Sequence, residues 1–241
     1  MGVTGIITQA RMTSTRLPGK ILKLAGGKPL LDYHVQRLQQ SGLPLYIATT
    51  VNETDDAVSE YARGNNLQLY RGSEDHVLSR FFETAKENEI QTIIRVTSDC
   101  PLIDPSLIVK GLEIFQNENN PYAYVSNVIE RTYARGFDFE IFSFQYLEEA
   151  MQCASDPIDT EHVTPYIWKN KSGKTAFRHI KQQHDNSRFR LTVDTPEDFE
   201  LIRILIENHS AHTLKQDEIE NILAANPKLV AINASIEQKK A

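Results

Sequence analysis

The first half of the chain alternates between short apolar runs and segments whose apolar side chains recur every three or four positions. The apolar runs are predicted strands; they begin near residue 6 and lie at 46–49, 67–70 and 92–96. Helices are predicted between them, at 29–41, 54–65 and 77–88. Strands that alternate with helices pair in parallel through right-handed crossovers. The pattern therefore predicts an α/β fold, a Rossmann-like three-layer α/β/α sandwich with a mostly parallel central sheet.

The alternation stops at about residue 122. Two strands are then predicted without a helix between them, at 122–128 and 137–142. The predicted elements after these are helices at 143–153 and 160–169, strands at 177–180 and 189–193, a helix at 196–207 and two amphipathic helices from 214. We interpret the chain as a single domain over 1–241 with an irregular subregion at 122–188.

Composition bounds the partners and the compartment. The chain has 241 residues, 40% of them apolar, and a net charge near −6, so we expect no basic face for a nucleic acid. No run of about 18 uninterrupted apolar residues is present. The two cysteines, Cys100 and Cys153, are too few for a disulfide framework. We therefore expect a soluble, cytoplasmic protein that binds neither nucleic acid nor a membrane.

A polar loop with three cations follows the first predicted strand. It contains Arg11, Arg16 and Lys20 together with the hydroxyl of Ser14, and it is neither a Walker loop nor a dinucleotide fingerprint. Open α/β sheets bind their ligands at the carboxyl ends of the strands. Guanidinium groups, hydroxyls and backbone N–H groups all match phosphate oxygens. The loop therefore predicts a polyphosphate site; a solvated basic loop without a ligand is the alternative.

Two aspartates follow predicted strands that are far apart in the chain. Asp99 comes after the strand at 92–96, which places it at the same edge of the sheet as the basic loop. Asp194 ends the strand predicted at 189–193. Carboxylates in such places can hold Mg²⁺ together with substrate phosphates. Each aspartate can instead cap a helix, and we favour that alternative for Asp104, which precedes a proline.

The basic loop resembles the signature of the spore-coat polysaccharide and cytidylyltransferase-like family. That family is related to the CMP-sialate and CMP-Kdo synthetases and has a GT-A-like nucleotidyltransferase fold; its A-R-x-x-S-x-R-L-P-G-K run binds the phosphates of the nucleotide. The run is complete here, as Ala10, Arg11, Ser14, Arg16, Leu17, Pro18, Gly19 and Lys20. The resemblance also implies one metal-binding carboxylate at Asp99 and a second at Asp194, which stands in a V-D-T-P-E-D segment.

A second segment resembles the part of the family that lies near the nucleotide base and ribose. It is R-G-S-E-D-H-V-L-S-R, where the family has R-G-S-x-x-x-V-L-x-R. The resemblance implies nucleotide contacts for Ser73 and Arg80. A surface arginine paired with a neighbouring glutamate is the alternative for Arg80.

Two further segments resemble family motifs that border the sugar. R-G-F-D-F-E resembles a G-L-D-V-E motif, and strand alternation places Asp138 and Glu140 on one face. T-E-H-V-T-P-Y contains the motif E-H-V-T-P-Y, which implies that Glu161 and His162 border the sugar pocket. The alternative for Asp138 and Glu140 is that they only keep an exposed edge strand soluble. The alternative for Glu161 and His162 is that they form a structural hydrogen bond.

These motifs predict a cytidylyltransferase. It transfers CMP from CTP to a hydroxyl of an acidic sugar of the nonulosonic-acid type and releases pyrophosphate, for surface or spore-coat polysaccharide biosynthesis. The predicted catalytic residues are Arg11, Arg16 and Lys20, which neutralise the triphosphate, and Asp99, which holds Mg²⁺ together with Asp194.

The resemblance further implies a homodimer, and a role for 122–188 in closing the substrate site and in dimer contacts. Three other functions stay open at this point. One is a sugar-1-phosphate nucleotidyltransferase, and another is a GT-A glycosyltransferase that consumes a nucleotide sugar. The third is a non-catalytic nucleotide-binding protein, which the presence of both Asp99 and Asp194 disfavours.

Overall fold

A seven-stranded sheet forms the middle layer of the computed structural model, which describes residues 2–238. The strands in chain order are β1 (Val3–Gln9), β2 (Leu24–Ala25), β3 (Lys28–Pro29), β4 (Leu45–Thr50), β5 (Gln68–Gly72), β6 (Ile90–Thr97), β7 (Ala123–Ser126), β8 (Glu140–Ser143) and β9 (Ala176–His179). Their order across the sheet is β5-β4-β1-β6-β8-β7-β9, while β2 and β3 form a separate antiparallel ribbon. The sheet is parallel from β5 to β6, β8 is antiparallel to both of its neighbours, and β7 pairs in parallel with β9.

Helices cover both faces of this sheet. In chain order they are α1 (Leu30–Gln39), α2 (Asp56–Gly64), α3 (Val77–Glu87), α4 (Pro105–Glu118), α5 (Phe144–Cys153), α6 (Pro157–His162), α7 (Pro165–Trp168), α8 (Pro196–His209), α9 (Gln216–Ala225) and α10 (Pro227–Ala231). None of the helices between residues 2 and 238 has the length and apolar composition that crossing a bilayer requires.

The alternation of side chains in β1 separates two hydrophobic cores. Ile6 belongs to the core that α1, α2, α4 and α8 cover, whereas Ile7 belongs to the core that α3, α5 and α7 cover on the other face. Both side chains are completely buried, which explains why this strand reads as a continuous apolar run. The predicted three-layer sandwich with a mostly parallel sheet is confirmed.

The register of β1 brings three loops to one edge of the sheet. Gln9, the last residue of β1, lies opposite Ala48 on β4 and Thr97 on β6. Because the three strands are parallel, the segments that follow them leave the sheet side by side. The basic loop after Gln9 and the Asp99 segment after Thr97 are therefore neighbours, as the sequence predicted.

Local capping signals also act as the sequence suggests. Asp104 caps α4, because its Oδ1 accepts a hydrogen bond from the backbone N–H of Ser106 at 2.8 Å. Ser143 caps α5 in the same way, accepting from the N–H of Tyr146 at 3.0 Å. The capping interpretation favoured for Asp104 is confirmed.

The single helix predicted over 160–169 is wrong. The chain forms α6 and α7, which are separated at Val163, a residue with a φ of +70°. Pro165 has no backbone N–H to donate to the preceding turn, so a continuous helix through it would lose a hydrogen bond. Helix α6 also begins earlier than predicted, at Pro157.

The strand predicted over 189–193 is also wrong. The segment is extended, but it makes only an isolated bridge between Arg190 and Arg135. The segment also contacts the Asp99 segment, because the N–H of Val193 donates to the carbonyl oxygen of Asp99 at 2.8 Å. The buried apolar side chains that suggested a strand pack beneath α8 and α9 instead of in the sheet.

Gly136 is the glycine whose replacement we expect to be most damaging. Its φ is +107°, and a Cβ there would lie 2.7 Å from the backbone carbon of Leu191. Gly136→Ala therefore combines backbone strain with a clash against backbone, and we expect it to lower the free energy of unfolding by about 3 kcal/mol or more. Urea unfolding measures the difference.

Gly42→Ala is the matched control. Gly42 also has a positive φ, of +71°, but a Cβ there meets nothing within 4 Å. We expect a loss of only about 1 kcal/mol at this position. Equal losses at the two glycines would contradict the packing argument.

Candidate active site

The basic loop is held in place by a buried carboxylate. Asp55 is fully buried and accepts a hydrogen bond from the backbone N–H of Met12 at 2.7 Å. The loop also closes on itself, because the N–H of Gly19 donates to the carbonyl oxygen of Met12 at 3.0 Å. Gly19 has a φ of +65°, a left-handed conformation that favours glycine. The loop thus presents its cations from a fixed backbone.

Lys20 joins the loop to both predicted metal ligands. Its ammonium donates to Asp99 Oδ2 and to Asp194 Oδ1, each at 2.8 Å, and its side chain is only 11% exposed. Burial lowers the pKa of Lys20, but attraction to the two carboxylates outweighs burial and raises that pKa above its usual value. Burial likewise raises the pKa of Asp99, and Lys20 more than reverses this, to about 2. Lys20 and Asp99 are therefore both charged at neutral pH.

Asp194 is surrounded by cations. Its second oxygen, Oδ2, contacts Arg16 at 3.0 Å and Arg190 at 2.8 Å. The capping alternative for Asp194 is wrong, because the cap of α8 is Thr195, whose hydroxyl accepts from the N–H of Asp198. The Asp194 carboxylate therefore faces Lys20, Arg16 and Arg190 instead of the end of α8.

Arg190 and Asp198, which the sequence analysis did not single out, support Asp194. Buried Asp198 accepts from the backbone N–H of Asp194 at 3.0 Å and from Arg190 at 2.8 Å. The amide of Asn233, near the C-terminus, donates both to Asp198 and to the carbonyl oxygen of Arg190. The T-P-E-D sequence is recognisable as a helix-capping signal. The support that its aspartate, Asp198, gives to Asp194 depends on Asn233, which is far away in the sequence.

The donor set fits a magnesium ion that shares its coordination with substrate. Two carboxylate oxygens, one from Asp99 and one from Asp194, each lie 2.8 Å from the same atom, Lys20 Nζ. Among residues 2–238 no group of three or more His, Cys, Asp or Glu side chains is placed to hold a metal. Mg²⁺ is commonly held by one or two carboxylates plus phosphates and water, which is the set that this edge of the sheet can offer.

Arg80 is a buried cation, and two of its side-chain nitrogens make no hydrogen bond to the described part of the chain. It is 2% exposed, and its Nε and Nη1 have no hydrogen-bond partner among the described residues. Burial, followed by repulsion from Arg11, lowers the pKa of Arg80 to about 10. The alternative of a surface arginine is therefore wrong. Because a buried unpaired donor is costly, these N–H groups suit a ligand with acceptor atoms.

Glu74 connects the Arg80 region to the loop. Its carboxylate accepts from the hydroxyl of Thr13 at 2.7 Å and from the amide of Asn52, and it lies 3.8 Å from Arg11. Hydrogen bonds from Thr13, then from Asn52, hold the pKa of Glu74 below its usual value. Ser73, which the resemblance places near the nucleotide, accepts from the N–H of His76.

The four residues predicted to border the sugar have different partners in the structure. Asp138 makes a two-point ion pair with Arg131. Glu140 is 4% exposed, and its oxygens accept from Tyr124, Thr164 and Arg95. The edge-strand alternative is wrong for Glu140, because β8 lies between β6 and β7.

The other two of these residues, Glu161 and His162, lie on α6, which packs against α3. Burial lowers the pKa of His162; Glu161 opposes this, and Arg95 and Arg11 add to it. His162 therefore lies within electrostatic range of Arg95 and Arg11, whereas Asp138 acts electrostatically on Cys100 beside Asp99. Their roles toward a sugar stay predictions.

Buried His34 supports the Asp99 segment from below. Its Nδ1 is 2.9 Å from the carbonyl oxygen of Cys100, and its Nε2 is 2.9 Å from the hydroxyl of Thr8. A carbonyl oxygen only accepts, so Nδ1 carries the proton and Nε2 accepts from Thr8. Cys100 itself is buried, and its raised thiol pKa agrees with a structural side chain.

Comparison with known proteins agrees with this geometry. A family model described as cytidylyltransferase matches residues 5–225. The spore coat polysaccharide biosynthesis protein SpsF of Bacillus subtilis is 32% identical over 233 residues, which span 92% of this chain and 94% of that protein. A solved cytidylyltransferase from Leptospira borgpetersenii is 31% identical and superimposes with a TM-score of 0.88, over 98% of this chain and 99% of that one.

A more distant structure shares the fold. It is a CMP:2-keto-3-deoxy-manno-octonic acid synthetase complexed with CTP, with a TM-score of 0.62 and 18% identity, over 86% of this chain and 99% of that one. The family match, together with the similarity to the Leptospira structure, places the chain in the class of nucleotidyltransferases. Within that class, the chain belongs to the cytidylyltransferase family.

We expect acid to destabilise the protein through His34. Burial lowers the pKa of His34 to about 4, while the pKa of the same histidine in the unfolded chain is near 6.5. Between these values the unfolded state binds more protons, so stability falls as the pH falls. The free energy of unfolding should therefore fall less between pH 7 and pH 4 in His34→Gln than in the parent protein, by on the order of 3 kcal/mol.

Urea unfolding as a function of pH measures this effect. The exposed His184→Gln is the matched control and should keep the pH dependence of the parent protein. An unchanged pH dependence in His34→Gln would show that His34 is not held neutral by the fold.

Proposed function

We propose that the protein transfers CMP from CTP to a hydroxyl of an acidic sugar and releases pyrophosphate, in surface or spore-coat polysaccharide biosynthesis. The observation that carries the proposal is the cluster in which Lys20, on the basic loop, contacts both Asp99 and Asp194. The family, the similarity to SpsF and the shared fold of a CTP-complexed synthetase support it.

The proposed reaction is an in-line substitution at the α-phosphorus of CTP. The sugar hydroxyl forms the new oxygen–phosphorus bond and releases its proton to water, and the bond between the α-phosphorus and the bridging oxygen breaks as pyrophosphate leaves. Arg16 and Lys20 neutralise the charge that develops on the phosphates, and Arg11, whose side chain is nearly half exposed, approaches them from the open side. Mg²⁺, held by Asp99 and Asp194, supplies further neutralisation when it is bound.

In this proposal the protein contributes mainly position and charge. Asp55 and Glu74 fix the loop before the nucleotide arrives, so little reorganisation accompanies binding. The unused N–H groups of Arg80 take acceptor atoms of the nucleotide. Glu140 acts through its contacts with Arg95 and Thr164 rather than by touching the sugar.

Pyrophosphate release tests the proposal directly. We expect release from CTP with Mg²⁺ and a free acidic sugar, and little from ATP, GTP or UTP. The panel contains acidic sugars and sugar 1-phosphates. Release only with a sugar 1-phosphate would move the acceptor to that class. If the protein binds nucleotide but releases no pyrophosphate with any acceptor, a glycosyltransferase or a non-catalytic binding protein would be favoured.

Arg80→Leu tests the nucleotide side separately. We expect the dissociation constant for CTP to rise at least tenfold, about 1.4 kcal/mol, while the free energy of unfolding changes little, because Nε and Nη1 of Arg80 have no hydrogen-bond partner among residues 2–238. Calorimetry and urea unfolding measure the two quantities. Arg63→Leu, at an exposed arginine on α2, is the control and should leave both unchanged. Unaltered CTP affinity in Arg80→Leu would remove Arg80 from the nucleotide site.

A further inference from the structure

Lys20 lies at the point where the two candidate metal ligands converge. Its ammonium uses two of its three N–H groups on Asp99 and Asp194, at 2.8 Å each. We propose that Lys20 is an exchangeable counter-ion of the metal site, which keeps divalent cations out until the phosphates of the nucleotide draw it away. The inference rests on the proposed function and deepens it, because it sets the order in which nucleotide and metal bind.

The two cations compete for the same position. Mg²⁺ binds its oxygen ligands at about 2.0–2.1 Å. An ion bound to both Asp99 Oδ2 and Asp194 Oδ1 would therefore stand close against the Lys20 ammonium. Like charges at such a distance repel strongly, so the ion and the ammonium exclude each other. Lys20 has a flexible four-carbon side chain that can swing to a new acceptor, unlike the rigid fork of an arginine.

The charged side chains around the Lys20 ammonium already balance one another. Asp194 Oδ2 is engaged by Arg16 and Arg190, and Asp198 is paired with Arg190. Three carboxylates thus face three cations: Asp99, Asp194 and Asp198 against Arg16, Lys20 and Arg190. A divalent ion alone would give this partly buried cluster a surplus of positive charge. A triphosphate supplies the compensating negative charge and offers Lys20 its new acceptors.

Manganese binding without any nucleotide tests the exchange. The probe is Mn²⁺ alone, with free ion measured by electron paramagnetic resonance. We expect wild-type protein to bind Mn²⁺ weakly and Lys20→Met to bind it at least tenfold more tightly. Asp194→Asn in the Lys20→Met background should reverse the gain. Lys28→Met removes the same charge from an exposed position on β3 and should bind Mn²⁺ like wild type.

Two results would overturn the proposal: Mn²⁺ affinity in Lys20→Met no higher than in wild type, or a gain that survives Asp194→Asn. Lys20→Gln, which keeps a neutral donor between the carboxylates, is the second variant if Lys20→Met does not fold, and the same tenfold gain is expected. Pyrophosphate release by the wild-type protein tests the proposed function separately. A wild type that turns over CTP while Lys20→Met shows no gain would leave the function standing and refute the exchange.

Discussion

Two carboxylates can stand close together at the edge of this sheet because a lysine stands between them. Asp99 and Asp194 come from segments about a hundred residues apart, and without a shared cation their charges would repel. Lys20 removes that repulsion, and the backbone bond from Val193 to Asp99 holds the two segments side by side. The loop, the β6 end and the start of α8 are thereby joined at one point.

Much of the fold and part of the site follow from local patterns. The alternation of apolar runs and helical periodicity predicted the layers, because each strand of β1, β4 and β6 is buried on both faces. The proximity of the basic loop to Asp99 follows from parallel pairing alone. Whether Arg11, Arg16 and Lys20 act on phosphates is a chemical prediction that the geometry supports and that experiment must test.

The features that the sequence did not reveal depend on distant partners. Glu140 alternates with phenylalanines as an exposed strand residue would, yet Tyr124, Thr164 and Arg95 enclose it from three other segments. Asp55 stands at a helix start, where capping is the ordinary interpretation, but its carboxylate accepts hydrogen bonds from Thr50 and from distant Met12. Arg80 reads as an exposed helix residue, and no local pattern distinguishes a buried arginine with unused donors from one in water.

The amide of Asn233 ties the turn after α10 to Asp198 and Arg190, and through them to Asp194. Lys20, Asp99, Asp194 and Asn233 come from four separate stretches of the sequence, so none of these stretches forms the site by itself. A chain that stops before Asn233 keeps the basic loop and both carboxylates but lacks the amide that holds Asp198 and Arg190 around Asp194. The geometry of the site therefore depends on a side chain that carries no charge and contacts neither Lys20 nor Asp99.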